Sequence, residues 1–236
     1  MKPELFALFA FLASCSAAAP PSAAAKSVIL TPNHPLLHKH GRWDSAPGTW
    51  WTGSGFKLVA SGLTSLTLRL GNHTTAPQAA AAVSVDYGEF TTVNITAGTN
   101  IIPITTSLTS SRGNRVVRVN MEGWQNNRMH LERIEINPGA VVKPYKPSPL
   151  RFQFIGDSLT AGQHMPRGVN DAWSFLTAQE FKAEHNINAQ PGAYYRTNSA
   201  GEITMAFHTN TSAQRTRVIT TRLTTTTRLP GTLVVI

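Results

Sequence analysis

Four short stretches of the chain alternate apolar and polar residues with a period of two. In SLTLRLG, 65–71, Leu66, Leu68 and Leu70 fall on one side and Thr67 and Arg69 on the other. AVSVDYG, 82–88, groups Val83, Val85 and Tyr87, and VVRVNMEGW, 116–124, groups Val117, Val119 and Met121. ERIEIN, 132–137, alternates Ile134 and Ile136 with charges. Such alternation over four to seven residues, broken by Gly, Asn and Pro, predicts half-buried antiparallel strands. Many short strands within residues 28–142 predict a β-sandwich of the jelly-roll kind.

The texture changes after KPYKPSP, 143–149, whose three prolines neither continue a sheet nor open a helix and so predict a linker. LRFQFIG, 150–156, reads as a compact apolar strand ending in a Gly-Asp-Ser turn. NDAWSFLTAQEFKAEHN, 170–186, predicts a helix capped by Asn170 or Asp171, with Ala172, Phe175, Leu176 and Ala183 on its apolar face and Trp173 at the margin. NINAQPG, 186–192, predicts a second strand running into a turn. Strand, turn, helix and strand open an α/β domain with a parallel sheet, here 150–193. Residues 194–236 hold twelve threonines and five arginines and no Asp, and no core-forming period appears before Leu233–Ile236. That tail is not expected to continue the α/β domain. The fold class expected is β followed by an incomplete α/β domain.

Lys2, the apolar run Leu5–Ala13 and the small residues and prolines after it predict a secretory signal peptide over residues 1–19. The run is too short to span a bilayer, so no membrane association is expected after cleavage. A lipoprotein reading of Leu-Ala-Ser-Cys, 12–15, is the alternative. The only cysteine is Cys15, so the expected mature chain has no disulfide and no thiol nucleophile. A secreted, extracellular protein is expected. Asn72, Asn94 and Asn210 open Asn-x-Ser/Thr tripeptides and are glycosylation candidates. The net charge of +9 invites a nucleic-acid partner, but the basic residues are scattered, and none is expected.

The chemistry centres on FIGDSLTAG, 154–162. A serine hydroxyl is a weak nucleophile that needs a base and oxyanion donors. A strand ending in a tight turn before a helix lifts Ser158 to the carboxyl edge of a sheet, and Gly156 permits close approach. This block resembles the first sequence block of the GDSL, or SGNH, hydrolases. With GRWDSAPGTWWTGSGF (41–56), EGWQNNR (122–128) and NAQPGA (188–193) in order, the chain is similar to the secreted fungal esterases of carbohydrate esterase family 2, acetyl xylan esterases among them, over about residues 28–193. That resemblance implies a jelly-roll domain before an SGNH α/β domain, and removal of acetyl groups from plant-wall polysaccharide such as xylan. It implies Ser158 as nucleophile, the N–H groups of Ser158 and Gly192 as oxyanion donors, and Gly156 and Asp157 as supports of the turn. The implied partner is an acetylated polysaccharide or oligosaccharide, with no metal or organic cofactor.

The departures are as specific as the match. The family's Gly-x-Asn-Asp block has no counterpart, so no block-three Asn is found. No Asp has a His three residues later, so no catalytic His is found. His164, His185 and His208 are expected in surface or structural roles. A coding sequence for 215–221 or 226–236 read one base out of phase gives peptides more like an α/β domain than the tail is. The tail is therefore read as truncated or frameshifted after about residue 193, leaving this chain inactive as written, with a genuine Thr-rich tail as the alternative. A non-catalytic carbohydrate-binding or remnant β-sandwich protein is the rival function. His34, His38 and His40 are spaced like loose metal ligands, but no acid or cysteine accompanies them and no metal is expected. Trp43, Trp50, Trp51 and Trp124 are expected mainly in packing, with sugar stacking as the second reading. Asp86 and Glu89 are expected to be solvated.

Overall fold

A computed structural model describes residues 26–104, 113–123, 126–197, 203–207 and 232–235. The expected signal peptide and Cys15, together with Trp124, His208 and Asn210, lie outside the described residues. The strands are β1 (Val28–Leu30), β2 (His38–His40), β3 (Gly48–Thr49), β4 (Gly55–Ser61), β5 (Leu66–Leu70), β6 (Ala79–Val85), β7 (Thr91–Ile95), β8 (Gly98–Ile102), β9 (Asn114–Met121), β10 (Met129–Ile136) and β11 (Val141–Lys143). They form two sheets, all of whose pairings are antiparallel. One runs β1-β10-β5-β8 with β3 added against β10, and the other β11-β4-β9-β6-β7 with β2 added against β4.

Period-two alternation explains the core between them. Leu66, Leu68 and Leu70 of β5, Ile134 and Ile136 of β10, Phe56, Leu58 and Ala60 of β4, and Val117, Val119 and Met121 of β9 share one buried cluster. Tyr87 is a correction. It lies outside β6, in a turn where Asp86 and Tyr87 take φ of 52° and 61° and the Gly88 N–H donates to Val85 O at 3.0 Å, so its ring is exposed. Asp86 is not simply solvated either, because it meets Arg115 at 2.6 Å and accepts from the Val116 N–H.

The second sheet is buried on both faces. Lys57, Ala82, Ser84, Arg118 and Asn120, which alternate with the core residues of β4, β6 and β9, are also inaccessible. What covers them is a further layer: β12 (Arg151–Gly156), α1 (Ser158–Ala161), a 3-10 turn (Gly168–Asp171), α2 (Trp173–Glu180) and β13 (Glu184–Ala189). β12 and β13 are parallel, with Arg151 opposite Glu184 and Gly156 opposite Ala189. Phe90, Phe152, Phe154, Val169, Phe175 and Ile187 build a second core that includes Ala82 from the antiparallel sheet.

The helix is shorter than its sequence predicts. Ala172 is extended and is the N-terminal boundary residue, so neither Asn170 nor Asp171 caps α2. Lys182, at φ 50°, ends it, with the Ala183 N–H donating back to Ala178 O at 2.9 Å. The buried face carries Ala172, Phe175 and Ala178, and Leu176 points outward at 51% exposure. The tail also departs from expectation. β14 (Ala193–Thr197) and β15 (Ile203–Phe207) pair antiparallel, and β16 (Thr232–Val235) runs parallel to β12 as the third strand of its sheet. The short Leu-Val-Val run at the end of the tail satisfies the open edge of β12.

Two histidines lock the layers together. His40 Nε2 meets Asn120 Oδ1 at 2.8 Å, His185 Nε2 meets Gly53 O at 3.1 Å, and the rings lie 5.4 Å apart. Burial, and then the neighbouring His185, holds His40 well below the usual histidine range; burial, and then Lys57, brings His185 down to about 4. Both rings are neutral in the fold. The unfolded chain binds their protons first as pH falls, so stability drops below pH 6.5 and the His185 contribution is fully lost only near pH 4. Denaturant unfolding of the protein should lose up to about 1.4 kcal/mol per pH unit over that window relative to His185→Gln. Parallel pH profiles of the two proteins would contradict this.

Candidate active site

The site is built where β12 ends. Gly156 is its last residue, and a Cβ there would lie 2.0 Å from Thr160 Oγ1, so the turn into α1 requires glycine. Asp157 is the N-cap of α1, and its Oδ1 accepts the Leu159 N–H at 3.0 Å. Ser158 is the first residue of α1. Gly162 closes the helix in the left-handed region, φ 74°, and a Cβ there would meet Gly168 O at 2.4 Å. Thr52 Oγ1 donates to Ala161 O at 3.1 Å and lies 3.4 Å from Glu122 O, while Ser174 Oγ donates to Thr160 O at 2.7 Å. The turn holding Ser158 is thus fixed by an antiparallel-sheet loop on one side and by α2 on the other.

The second oxyanion candidate lies in the loop after β13. The Gln190 N–H donates to Gly156 O at 3.2 Å, which draws the loop after β13 to the strand that delivers Ser158. Gly192 is exposed in that loop at φ 80°, and the Ala193 N–H donates to Gln190 O at 3.1 Å. Both loops leave the carboxyl ends of adjacent parallel strands, where open parallel sheets place ligands.

A cleft of about 510 Å³ adjoins Gln190, lined also by Trp50, Trp51, Asn127, Arg128 and Ala189. Arg128 lies 5.2 Å from the Trp50 ring and Arg42 4.1 Å from the Trp51 ring, which steadies both indoles. The Arg128 guanidinium is held by Asp44 at 2.5 Å, and this contact keeps the Asp44 carboxyl below its ordinary value. Trp43 serves packing, its indole N–H near His40 O and Gly55 O. Among the described residues, Trp50 and Trp51 are the tryptophans that line this cleft. Asn127, Arg128 and Gln190 carry no signal in the sequence beyond their places in the GWQNNR and NAQPG blocks.

The histidines lie elsewhere. His164 is exposed at φ 65°, and His185 is enclosed by Gly53, His40 and Phe175. His34 accepts the Leu36 N–H, His38 meets Glu184 and His40 meets Asn120, so the three take separate partners. Among the described residues no group of His, Cys, Asp and Glu is arranged to hold a metal, and no histidine is hydrogen-bonded to Ser158. Among them, too, no helix is long and apolar enough to cross a membrane. Asn72 is exposed in the turn after β5, and Asn94 is exposed on β7.

No family model and no curated protein matches the chain. Solved structures do. A family two carbohydrate esterase from Cellvibrio japonicus aligns at TM-score 0.60 and 14% identity over 71% of this chain and 53% of that one. The acetyl xylan esterase Est2A from the rumen bacterium Butyrivibrio proteoclasticus aligns at 0.59 and 15%, over 70% and 49%. A family two carbohydrate esterase from Clostridium thermocellum, in complex with cellohexaose, aligns at 0.51 and 18%, over 66% and 51%. The chain spans about half the length of these proteins, and what it shares with them is the family two carbohydrate esterase fold.

The turn geometry gives its own test. Asp157→Ala removes the α1 cap and should cost about 1 kcal/mol. Gly156→Ala should cost more, because Thr160 has to move. Urea midpoints measure both, and an unchanged midpoint in Gly156→Ala would contradict the packing described.

Proposed function

We propose that the protein is a secreted carbohydrate O-acetyl esterase of the SGNH type, working through an acyl-serine. The observation that carries this reading is the Gln190–Gly156 hydrogen bond, which holds the Gly192 loop next to the strand leading to Ser158, with an indole-lined cleft adjoining. The Ser158 oxygen attacks the acetyl carbonyl while its proton passes to a base. The Ser158 and Gly192 N–H groups stabilise the oxyanion, the sugar leaves as an alcohol, and water then releases acetate from the serine. Trp50 and Trp51 offer flat apolar faces to the sugar, and Asn127, Arg128 and Gln190 offer polar contacts. The acetyl xylan esterase and the cellohexaose complex among the fold relatives support an acetylated β-linked polysaccharide as the substrate class.

No histidine among the described residues is bonded to Ser158, in keeping with the sequence reading in which this chain is inactive as written. That same observation favours a second reading, in which the cleft binds polysaccharide without hydrolysing it.

Acetate release from acetylated xylan and retention on the same polysaccharide separate the two. Hydrolysis predicts that Ser158→Ala lowers acetate release by about 10³-fold or more while retention stays. In both readings Trp50→Ala should weaken retention by about tenfold. Retention without acetate from either protein would leave the binding reading, and neither acetate nor retention would end both.

A further inference from the structure

A second cavity lies at the opposite end of the parallel strands from Ser158. β12 and β13 end at Gly156 and Ala189 beside the candidate active site, and they begin at Arg151 and Glu184. Near Glu184 opens a cavity of about 900 Å³, walled by Lys57, Tyr87, Arg118, Tyr145, Leu176 and Gln179. It is bounded by the antiparallel sheet, by the loop 144–150 and by α2.

Two buried cations face this cavity, and they are matched differently. Lys57 Nζ is 2.7 and 2.8 Å from the two oxygens of Glu184, which also accepts from the Tyr145 hydroxyl at 3.0 Å and meets His38 at 3.2 Å. Burial opposes the Glu184 charge, yet hydrogen bonds from His38 and Lys57 hold its carboxyl below the usual range. That pair is therefore balanced. Arg118, 4% exposed, meets no carboxylate among the described residues. Its guanidinium donates to Gln179, to Ser84 Oγ at 2.8 Å and to Gly88 O at 3.4 Å, all uncharged. Its Nε–H is buried with no acceptor among the described residues, and the Tyr87 and Phe90 rings lie 4.7 and 4.6 Å from the guanidinium Cζ. A buried charge without a counter-charge is costly, and an anion beside it offsets that cost. Lys146 and Lys182 at the rim outnumber Glu180, which adds to the positive balance.

We propose that this cavity is a second ligand site, selective for a small ring-bearing organic carboxylate. The carboxylate sits against Arg118, and the ring packs on Tyr87, Tyr145 and Leu176. Cations and aromatic faces together favour an anion with an apolar body over either a neutral ring or an inorganic anion. Because Arg118 joins β9 to α2 through Gln179, a ligand held there also ties α2 to the antiparallel sheet and stabilises the fold by mass action.

Calorimetric titration of the full chain with benzoate tests this, with benzyl alcohol and inorganic phosphate as comparison probes. Benzoate should bind at one saturable site and raise the melting temperature, with the alcohol and phosphate each at least tenfold weaker. Arg118→Gln should weaken benzoate at least tenfold. Should that variant not fold, Leu176→Glu, at an exposed wall position, adds a negative charge at the cavity without disturbing the core and should weaken benzoate by a similar factor. The proposal is overturned if benzoate does not saturate, if benzyl alcohol or phosphate binds as tightly, or if folded Leu176→Glu binds benzoate as wild type does.

Discussion

The structure depends on one sheet having no free face. The β11-β4-β9-β6-β7 sheet gives its inner side to an apolar core and its outer side to Lys57, Arg118, Asn120 and Ala82. Such a face is stable only where each polar group finds a partner. Glu184 for Lys57, Gln179 for Arg118 and Asn170 for Asn120 are all supplied by the layer that also carries Ser158. The docking of that layer is therefore a matter of paired groups as much as of area.

This docking has consequences for the candidate active site. Thr52 and Glu122 belong to the antiparallel part, and they hold α1 and the 3-10 turn through Ala161 O and the Val169 N–H. Trp50 and Trp51 precede Thr52 directly, so the residues that fix the serine turn also carry the aromatic wall of the cleft. Glu122 is itself a buried carboxyl, raised above its ordinary value by burial and restrained by hydrogen bonds from Thr92 and Asn170. The indole-lined cleft and the Ser158 turn are in this way one mechanical unit.

The two ends of the parallel sheet have different chemistry. At the carboxyl end, the loop after β13 links the strand leading to Ser158 to a cleft lined by indoles. At the amino end, cations, tyrosines and the balanced carboxylate of Glu184 surround a larger space. Neither end is assembled from neighbours in the chain: Lys57 and Glu184 are separated by 127 positions.

Much of this was legible in the sequence, and the reason is local. Leu66, Leu68 and Leu70 must share a face because strand side chains alternate, and Gly156-Asp157-Ser158 must turn because Gly156 tolerates no Cβ and Asp157 caps α1. The block FIGDSLTAG therefore fixed the position of Ser158 on the chain. What the alternation left undecided is what the other face meets. Arg118 and Lys57 read as solvated polar positions of half-buried strands, and only the second layer makes them buried. Leu176 reads as core, and only the direction in which α2 docks exposes it. The Thr-rich tail shows no period, yet its last apolar residues pair with β12 because an open strand edge accepts them. The sequence by itself determined the strands, the serine turn and the fold relatives it resembles. The tertiary structure decided the partners of the buried charges, the cleft beside Gln190 and the cavity beside Arg118, because those rest on contacts between residues far apart in the chain.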